Sequence, residues 1–179
     1  MEYDEKLVQM IREAAGKAFG KLFAEHDETF YYCSLITIGE CECPYISAWS
    51  LESLEREAAK GADPEEDKRL LKWSYADSPY CAYGYEEFFQ ELRAEYSLRT
   101  KRLDDDDDEA YDTEMDIRMN SMEKAMQELD AQGLFGTGEK RSRMVINAEY
   151  MPPDHSNTER ALRLNPEEAL TEWLEEAAE

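Results

Sequence analysis

The chain is short of positive charge. Lys and Arg together number 20 against 43 Asp and Glu, which leaves a formal net charge of −23. That shortage excludes the ordinary way of holding a nucleic-acid backbone, in which Lys and Arg neutralise phosphates. It equally disfavours an anionic membrane surface. Histidine is scarcer still: His26 and His155 are the only two. No Gly-x-Ser-x-Gly elbow is present and no Cys lies beside a His, so neither histidine-assisted nucleophile pattern is written in the chain. The longest apolar-rich run, Phe30 to Ile38, is far too short to cross a bilayer. Met1-Glu2-Tyr3-Asp4-Glu5 lacks the basic and apolar regions of a signal peptide, so cytoplasmic residence is the expectation. Cys33, Cys41, Cys43 and Cys81 are then expected to be reduced thiols, two or three of them buried. Cys41-x-Cys43 falls one residue short of the usual zinc spacing, and no second pair completes a site. No Gly/Ser/Pro-rich linker and no internal repeat divides the sequence, so residues 1–179 read as one domain.

What is present suffices for a core. The hydrophobic fraction is 42%, too high for global disorder despite the charge. Leu7, Met10, Ile11, Ala14, Ala18 and Leu22 recur at helical spacing and predict a helix over 4–24. Phe30 to Ile38 is aromatic and β-branched on both faces, as in a central strand. After a turn at Gly39-Glu40, residues 41–49 can return antiparallel, with Pro44 pushing them to an edge. Ser50 caps a short helix that stops at Gly61, and Asp63-Pro64-Glu65-Glu66 starts another. Helical spacing resumes over 85–103 and again over 110–132, where Met115, Met119, Met122, Met126 and Leu129 form a core stripe ended by Gly133. Residues 143–150 alternate as a half-buried strand. Ser156-Asn157-Thr158-Glu159 resembles a capping box, and Asn165-Pro166 opens the last helix. The expected fold class is α+β, a small antiparallel sheet of three or more strands packed with about six helices.

Two stretches imitate binding loops. Gly133 to Lys140 has the glycines of a phosphate loop, but Glu139 stands where Lys is required, and the stretch follows a helix rather than a strand. Asp104-Asp105-Asp106-Asp107-Asp108-Glu109 has the oxygens of a calcium loop, without the glycine at its sixth position or the Glu at its twelfth. No catalytic, cofactor-binding or metal-binding set emerges. The expectation is a non-enzymatic protein that binds a basic protein partner, with no direct contact to nucleic acid or membrane. The candidate contact residues are an acidic loop or insertion over 104–116 (Asp104, Asp105, Asp106, Asp107, Asp108, Glu109, Asp112, Glu114 and Asp116) with Tyr75, Tyr80 and Tyr83 of the aromatic stretch after Trp73. The alternatives are acidity that confers only solubility, an acidic mimic of nucleic acid that occupies DNA- or RNA-binding enzymes, and a small enzyme without a recognisable motif.

Four stretches in order carry a resemblance: Phe30-Tyr31-Tyr32-x-Ser34-Leu35-x-Thr37-x-Gly39-Glu40; Lys72-Trp73-Ser74-Tyr75-Ala76-Asp77-Ser78-Pro79-Tyr80; Leu129-Asp130-x-x-Gly133-Leu134-Phe135-Gly136; and Arg160-Ala161-x-x-Leu164-Asn165-Pro166. They resemble a bacterial family catalogued as a domain of unknown function and found among immunity proteins of polymorphic-toxin and contact-dependent competition loci. The resemblance implies a protein that neutralises a cognate toxin domain by binding it. It brings no catalytic residue with it.

Overall fold

The computed structural model describes residues 2–39, 41–103 and 108–178. Among these, helix α1 (Glu5–Glu25) leads into strands β1 (Phe30–Ile38) and β2 (Tyr45–Ser50). Helices α2 (Leu51–Ala58), α3 (Pro64–Leu71), α4 (Tyr85–Phe88), α5 (Gln90–Thr100) and α6 (Asp108–Ala131) follow. Strand β3 (Val145–Met151) and helices α7 (His155–Leu164) and α8 (Glu167–Glu176) complete the domain. The sheet order is β2-β1-β3, which puts the aromatic strand in the centre.

Local signals set most boundaries. Asp4 caps α1 by accepting from the Leu7 N–H at 3.0 Å. Ser50 caps α2 in a reciprocal box with Ser53, and Asp63 with Pro64 starts α3 as expected. Gly133, at φ +80°, ends α6 in the left-handed conformation while Leu134 N–H reaches back to the Leu129 carbonyl at 3.1 Å.

The two sheet faces differ in chemistry. Cys33, Leu35, Ile46, Ala48, Ile146 and Ala148 pack into one apolar cluster with α1, α5 and α6. Tyr32, Trp49 and Val145 point the other way, with Leu54, Ala161, Leu170 and Trp173. Buried Ser34, Ser47, Asn147 and Glu149 share that second face by strand alternation.

Several expectations are corrected. The sheet is mixed: β2 pairs antiparallel with β1, but β3 pairs parallel, Tyr32 opposite Val145 through Ile38 opposite Met151. The alternation in β3 is not a dry side and a wet side, because Val145 through Glu149 are all buried. Helices cover both faces, the usual circumstance of parallel strands. Strand β2 starts at Tyr45 rather than at Cys41, and it is an edge strand. The predicted 85–103 helix is broken at buried Phe89, whose φ of −102° leaves the helical range. Helix α7 is capped by Asp154, not by Ser156. Counting these, the described residues hold eight helices rather than about six.

The outer edge of β3 would present open backbone groups to another strand. Side chains of α7 and its exit close it instead. Asn165 accepts from Ile146 N–H at 2.8 Å and donates to the Ile146 carbonyl at 2.7 Å. Asn157 does the same for Tyr150 at 2.8 and 3.0 Å, and Arg160 donates to the Ala148 carbonyl at 2.6 Å. That is the structural content of the Arg160…Asn165-Pro166 stretch.

Candidate functional site

The expected contact residues do not come together as one site. Asp104, Asp105, Asp106 and Asp107 lie outside the described residues, as does Glu40 of the turn. From Asp108 onward the acidic stretch is the start of α6 rather than a loop, with Asp108, Glu109, Asp112 and Asp116 exposed. Glu114 is turned inward. It accepts from Arg99 at 2.7 and 2.8 Å and from Arg118 at 2.7 Å. Burial alone would raise its pKa, but those two guanidinium groups outweigh it and hold the carboxyl below its ordinary value.

The tyrosines are elsewhere. Tyr83 donates to Glu25 at the C-terminal end of α1, with burial and that carboxylate pushing its hydroxyl up to about 12. Tyr80 is buried against Phe30 and His26 and donates to Glu28 at 2.7 Å, so it has no face to offer a partner. Asp4, at the opposite end of α1, accepts from Arg99 at 2.7 Å within the Glu114 cluster. The 21 residues of α1 therefore separate Tyr80 and Tyr83 from the acidic start of α6, roughly 30 Å at 1.5 Å per residue.

Tyr75 alone of the three lines a cavity on the polar face of the sheet. The segment carrying it is strapped down by side chains of β1 and β2. Tyr31 donates to the Lys72 carbonyl at 2.6 Å, Trp49 to Ser74 at 2.7 Å and Ser47 to Tyr75 at 2.8 Å. The opposite wall comes from β3, α7 and α8. The result is a cavity of about 250 Å³ lined by Trp73, Tyr75, Glu149, Met151, Thr158 and Trp173, among others. Glu149 is 6% exposed and accepts from the Tyr32 hydroxyl at 2.6 Å. Burial, and then that carboxylate, hold the Tyr32 hydroxyl in its neutral, donating form. Trp73 already carries a cation: the Lys72 ammonium lies 5.3 Å from its ring centroid, and Glu176 accepts from its indole N–H at 2.8 Å.

Two further cavities flank these regions. One of about 520 Å³, between α2 and α8, shares Trp73 with the first and is walled by Phe30, Leu54 and Val145. The larger of the two, about 1060 Å³, lies between α5 and α6 and includes Arg93, Lys101, Arg102, Glu114 and Arg118. Its cations have structural employment. Arg93 pairs with Glu86, and Arg118 with Glu114. Lys101 and Arg102 follow the C-terminal end of α5, where positive charge complements the helix dipole. Among the described residues, no three His, Cys, Asp or Glu side chains converge as a metal-ligand set. Cys33 and Cys41 are buried, Cys43 and Cys81 half-buried, and all four are free thiols.

A model of the family described as "Domain of unknown function (DUF4303)" matches residues 11–166. The chain belongs to that family. No curated protein and no solved structure matches it. The DUF4303 match spans all three strands and therefore Trp73, Tyr75 and Glu149; Trp173, on α8, lies beyond it. No helix of the described residues is long and apolar enough to cross a membrane.

Sequence reasoning missed Glu149, Trp173 and Tyr32 as neighbours. The available signal was the pair Asn147 and Glu149 at alternate positions of a strand, matched by Tyr32 and Ser34 on the central one. Polar residues alternating in two strands would mark a shared polar face once those strands are known to pair.

Proposed function

We propose that this DUF4303 protein is an immunity protein. It acts in the cytoplasm by binding a basic toxin or effector domain stoichiometrically and blocking it, without catalysis. The observation that carries this reading is how the charge is distributed. Among the described residues 15 of the 20 Lys and Arg pair with a carboxylate, from Lys6 with Glu95 to Arg163 with Glu123; Lys17, Lys101, Arg102, Lys140 and Arg160 are the exceptions. With 43 acids against 20 Lys and Arg in the chain, most acids have no basic side chain to offset them, and the net field is negative. Such a field steers basic proteins and repels polyanions. Toxins that act on nucleic acid carry basic surfaces and match it by charge. The resemblance to immunity families supplies the biological role.

The test is rescue. Where a toxic C-terminal domain is encoded beside its gene, co-expression with that domain should restore growth, and the purified pair should co-elute one to one. No rescue and no complex with that domain would sink the reading. Inhibition of several unrelated nucleases with equal potency would replace it with the nucleic-acid mimic.

A further inference from the structure

The geometry points to the cavity between α5 and α6 as a binding site for a small phosphorylated molecule, of sugar-phosphate or nucleotide size, whose phosphate sits on Lys101 and Arg102. This ligand site goes beyond the function proposed above and does not depend on it. The volume, about 1060 Å³, is that of a generous small-molecule site, which runs to roughly 1,000 Å³. Lys101 and Arg102 stand side by side on its wall, exposed, and among the described residues neither has a carboxylate partner. Lys17 and Lys140, also without one, stand apart on α1 and in the turn after α6. The end of α5 gains from positive charge nearby without engaging the N–H donors of Lys101 and Arg102, which stay available. Tyr96 supplies an independent observation. It lines the same cavity at 3% exposure, and among the described residues its hydroxyl is buried without a hydrogen-bond partner. Such groups are few in folded proteins and each asks for an explanation. A ligand oxygen at this wall supplies the acceptor.

Charge sets the class of ligand. Two adjacent cations match a phosphate ester, which carries about −1.5 to −2 at neutral pH and three acceptor oxygens. A single carboxylate would leave one of them unmatched, and a cation would meet both, with Arg93 and Arg118 on the same walls. Of the lining carboxylates, Glu114 is held by Arg99 and Arg118, and Glu42 is outnumbered by Lys101 and Arg102. Asp104 to Asp107 follow within five residues of Arg102 in the chain, outside the described residues, and their charge lowers the affinity for any anion. The −23 of the whole chain counts for less, because charges beyond about 8 Å are largely screened at physiological salt. Ser97 and Thr100 add hydroxyls on the face of α5 that carries Lys101, by their spacing of three and four residues. Thr100 accepts from Arg118 at 2.9 Å and keeps its own O–H to donate. Hydroxyls beside a phosphate seat suit a sugar ring attached to that phosphate.

The experiment titrates the full-length protein with ribose 5-phosphate, AMP, inorganic phosphate and ribose, followed by backbone amide signals. The expected result is saturable binding of ribose 5-phosphate or AMP with a Kd on the order of a millimolar, its shifts concentrated in residues 96–102 and 111–118. Ribose should bind at least tenfold more weakly, which assigns the affinity to the phosphate. Replacing Lys101→Gln and Arg102→Gln together should weaken binding at least tenfold. Lys17→Gln with Lys140→Gln removes the same charge elsewhere and should change it less than twofold. All four positions are exposed, and circular dichroism checks that both variants are folded. Tyr96→Phe deletes the hydroxyl and keeps the ring under Arg118; it should weaken binding several-fold without lowering the urea midpoint. Equal losses in the two double variants would mean a diffuse response to charge and overturn the site. Ribose binding as tightly as ribose 5-phosphate overturns it too, as does the absence of saturable binding by any phosphate probe. Inorganic phosphate binding as tightly as both esters would overturn the sugar-phosphate or nucleotide assignment and leave an anion seat. A lower urea midpoint in Tyr96→Phe with unchanged binding would show that the hydroxyl serves the fold, and would remove it from the site.

Discussion

The two faces of one three-stranded sheet are built on opposite principles. Toward α1 and α6, the strands present Cys33, Leu35, Ile46, Ala48, Ile146 and Ala148, all of them apolar and buried. Toward α2 and α8 they present Tyr32, Ser34, Ser47, Trp49, Asn147 and Glu149, all 6% exposed or less. Polar groups buried at such cost must be satisfied, and these are: hydroxyls and an indole strap down the 72–75 segment, and Asn147 donates to the Asn157 carbonyl at 3.2 Å. The first face holds the fold together by volume and contact area. The second fixes where a loop and two tryptophans sit, and so shapes a cavity.

Substitutions should separate these roles, and the largest effect is expected at the acid that belongs to neither face. Glu114→Ala leaves the buried Arg118 without its carboxylate; removing one partner of a buried pair costs about 3–5 kcal/mol, measured as a shift in urea midpoint. Leu35→Ala on the apolar face should cost about 2–5 kcal/mol, since the strand cannot collapse into the gap. On the polar face, Ser47→Ala should cost about 1 kcal/mol, and its clearer signature should be faster amide exchange in residues 73–76. A loss there as large as at Leu35 would break the comparison.

Acid should act on the ion pairs before it acts on either face. Glu114 is held below its ordinary value of 4.5, and Asp4 below 3.8: burial opposes ionisation in both, and hydrogen bonds, to Arg99 and Arg118 or to Leu7 N–H and Arg99, outweigh it. A carboxyl with a depressed pKa stabilises the fold above its unfolded pKa and loses that contribution as pH falls through the folded value. Stability should therefore be flat above about pH 5 and decline below it; Glu114→Gln should show a shallower decline. The smallest effect on folding is expected from neutralising Asp108, Glu109, Asp112 and Asp116 together, within about 0.5 kcal/mol. The same variant should slow association with the proposed partner and flatten its salt dependence. An unchanged association rate would remove the start of α6 from the interface.

How much of this was legible follows from what local chemistry can encode. Strand β1 matches its sequence run residue for residue, and the Ser50, Asp63 and Gly133 signals end or begin helices where they should, because caps and turns act within four or five residues. The direction of β3 was not legible. Its alternation is the same whether the polar side meets water or a second layer of helices, and only the covering helices decide. The break at Phe89 was hidden because Phe88, Phe89 and Leu92 fit a continuous helical stripe. The cavity was least legible of all: Trp73, Glu149 and Trp173 come from three distant parts of the chain and meet only through the topology. The separation of the tyrosines has a related reason. Within nine residues of one another in sequence, they are dispersed by a loop that turns Tyr80 inward and carries Tyr83 to the end of α1.

The central position of β1 has a consequence for synthesis. Its first partner, β2, is complete at Ser50, but its second, β3, ends only at Met151. At about 5–20 residues per second, the most aromatic strand of the molecule waits on the order of ten seconds with one hydrogen-bonding edge unpaired. Stretches of this kind are where nascent chains cross-associate. During that interval the acids of α2, α3 and α4 are already made. Like charges on neighbouring unfinished copies repel, which opposes cross-association until the last strand closes the edge.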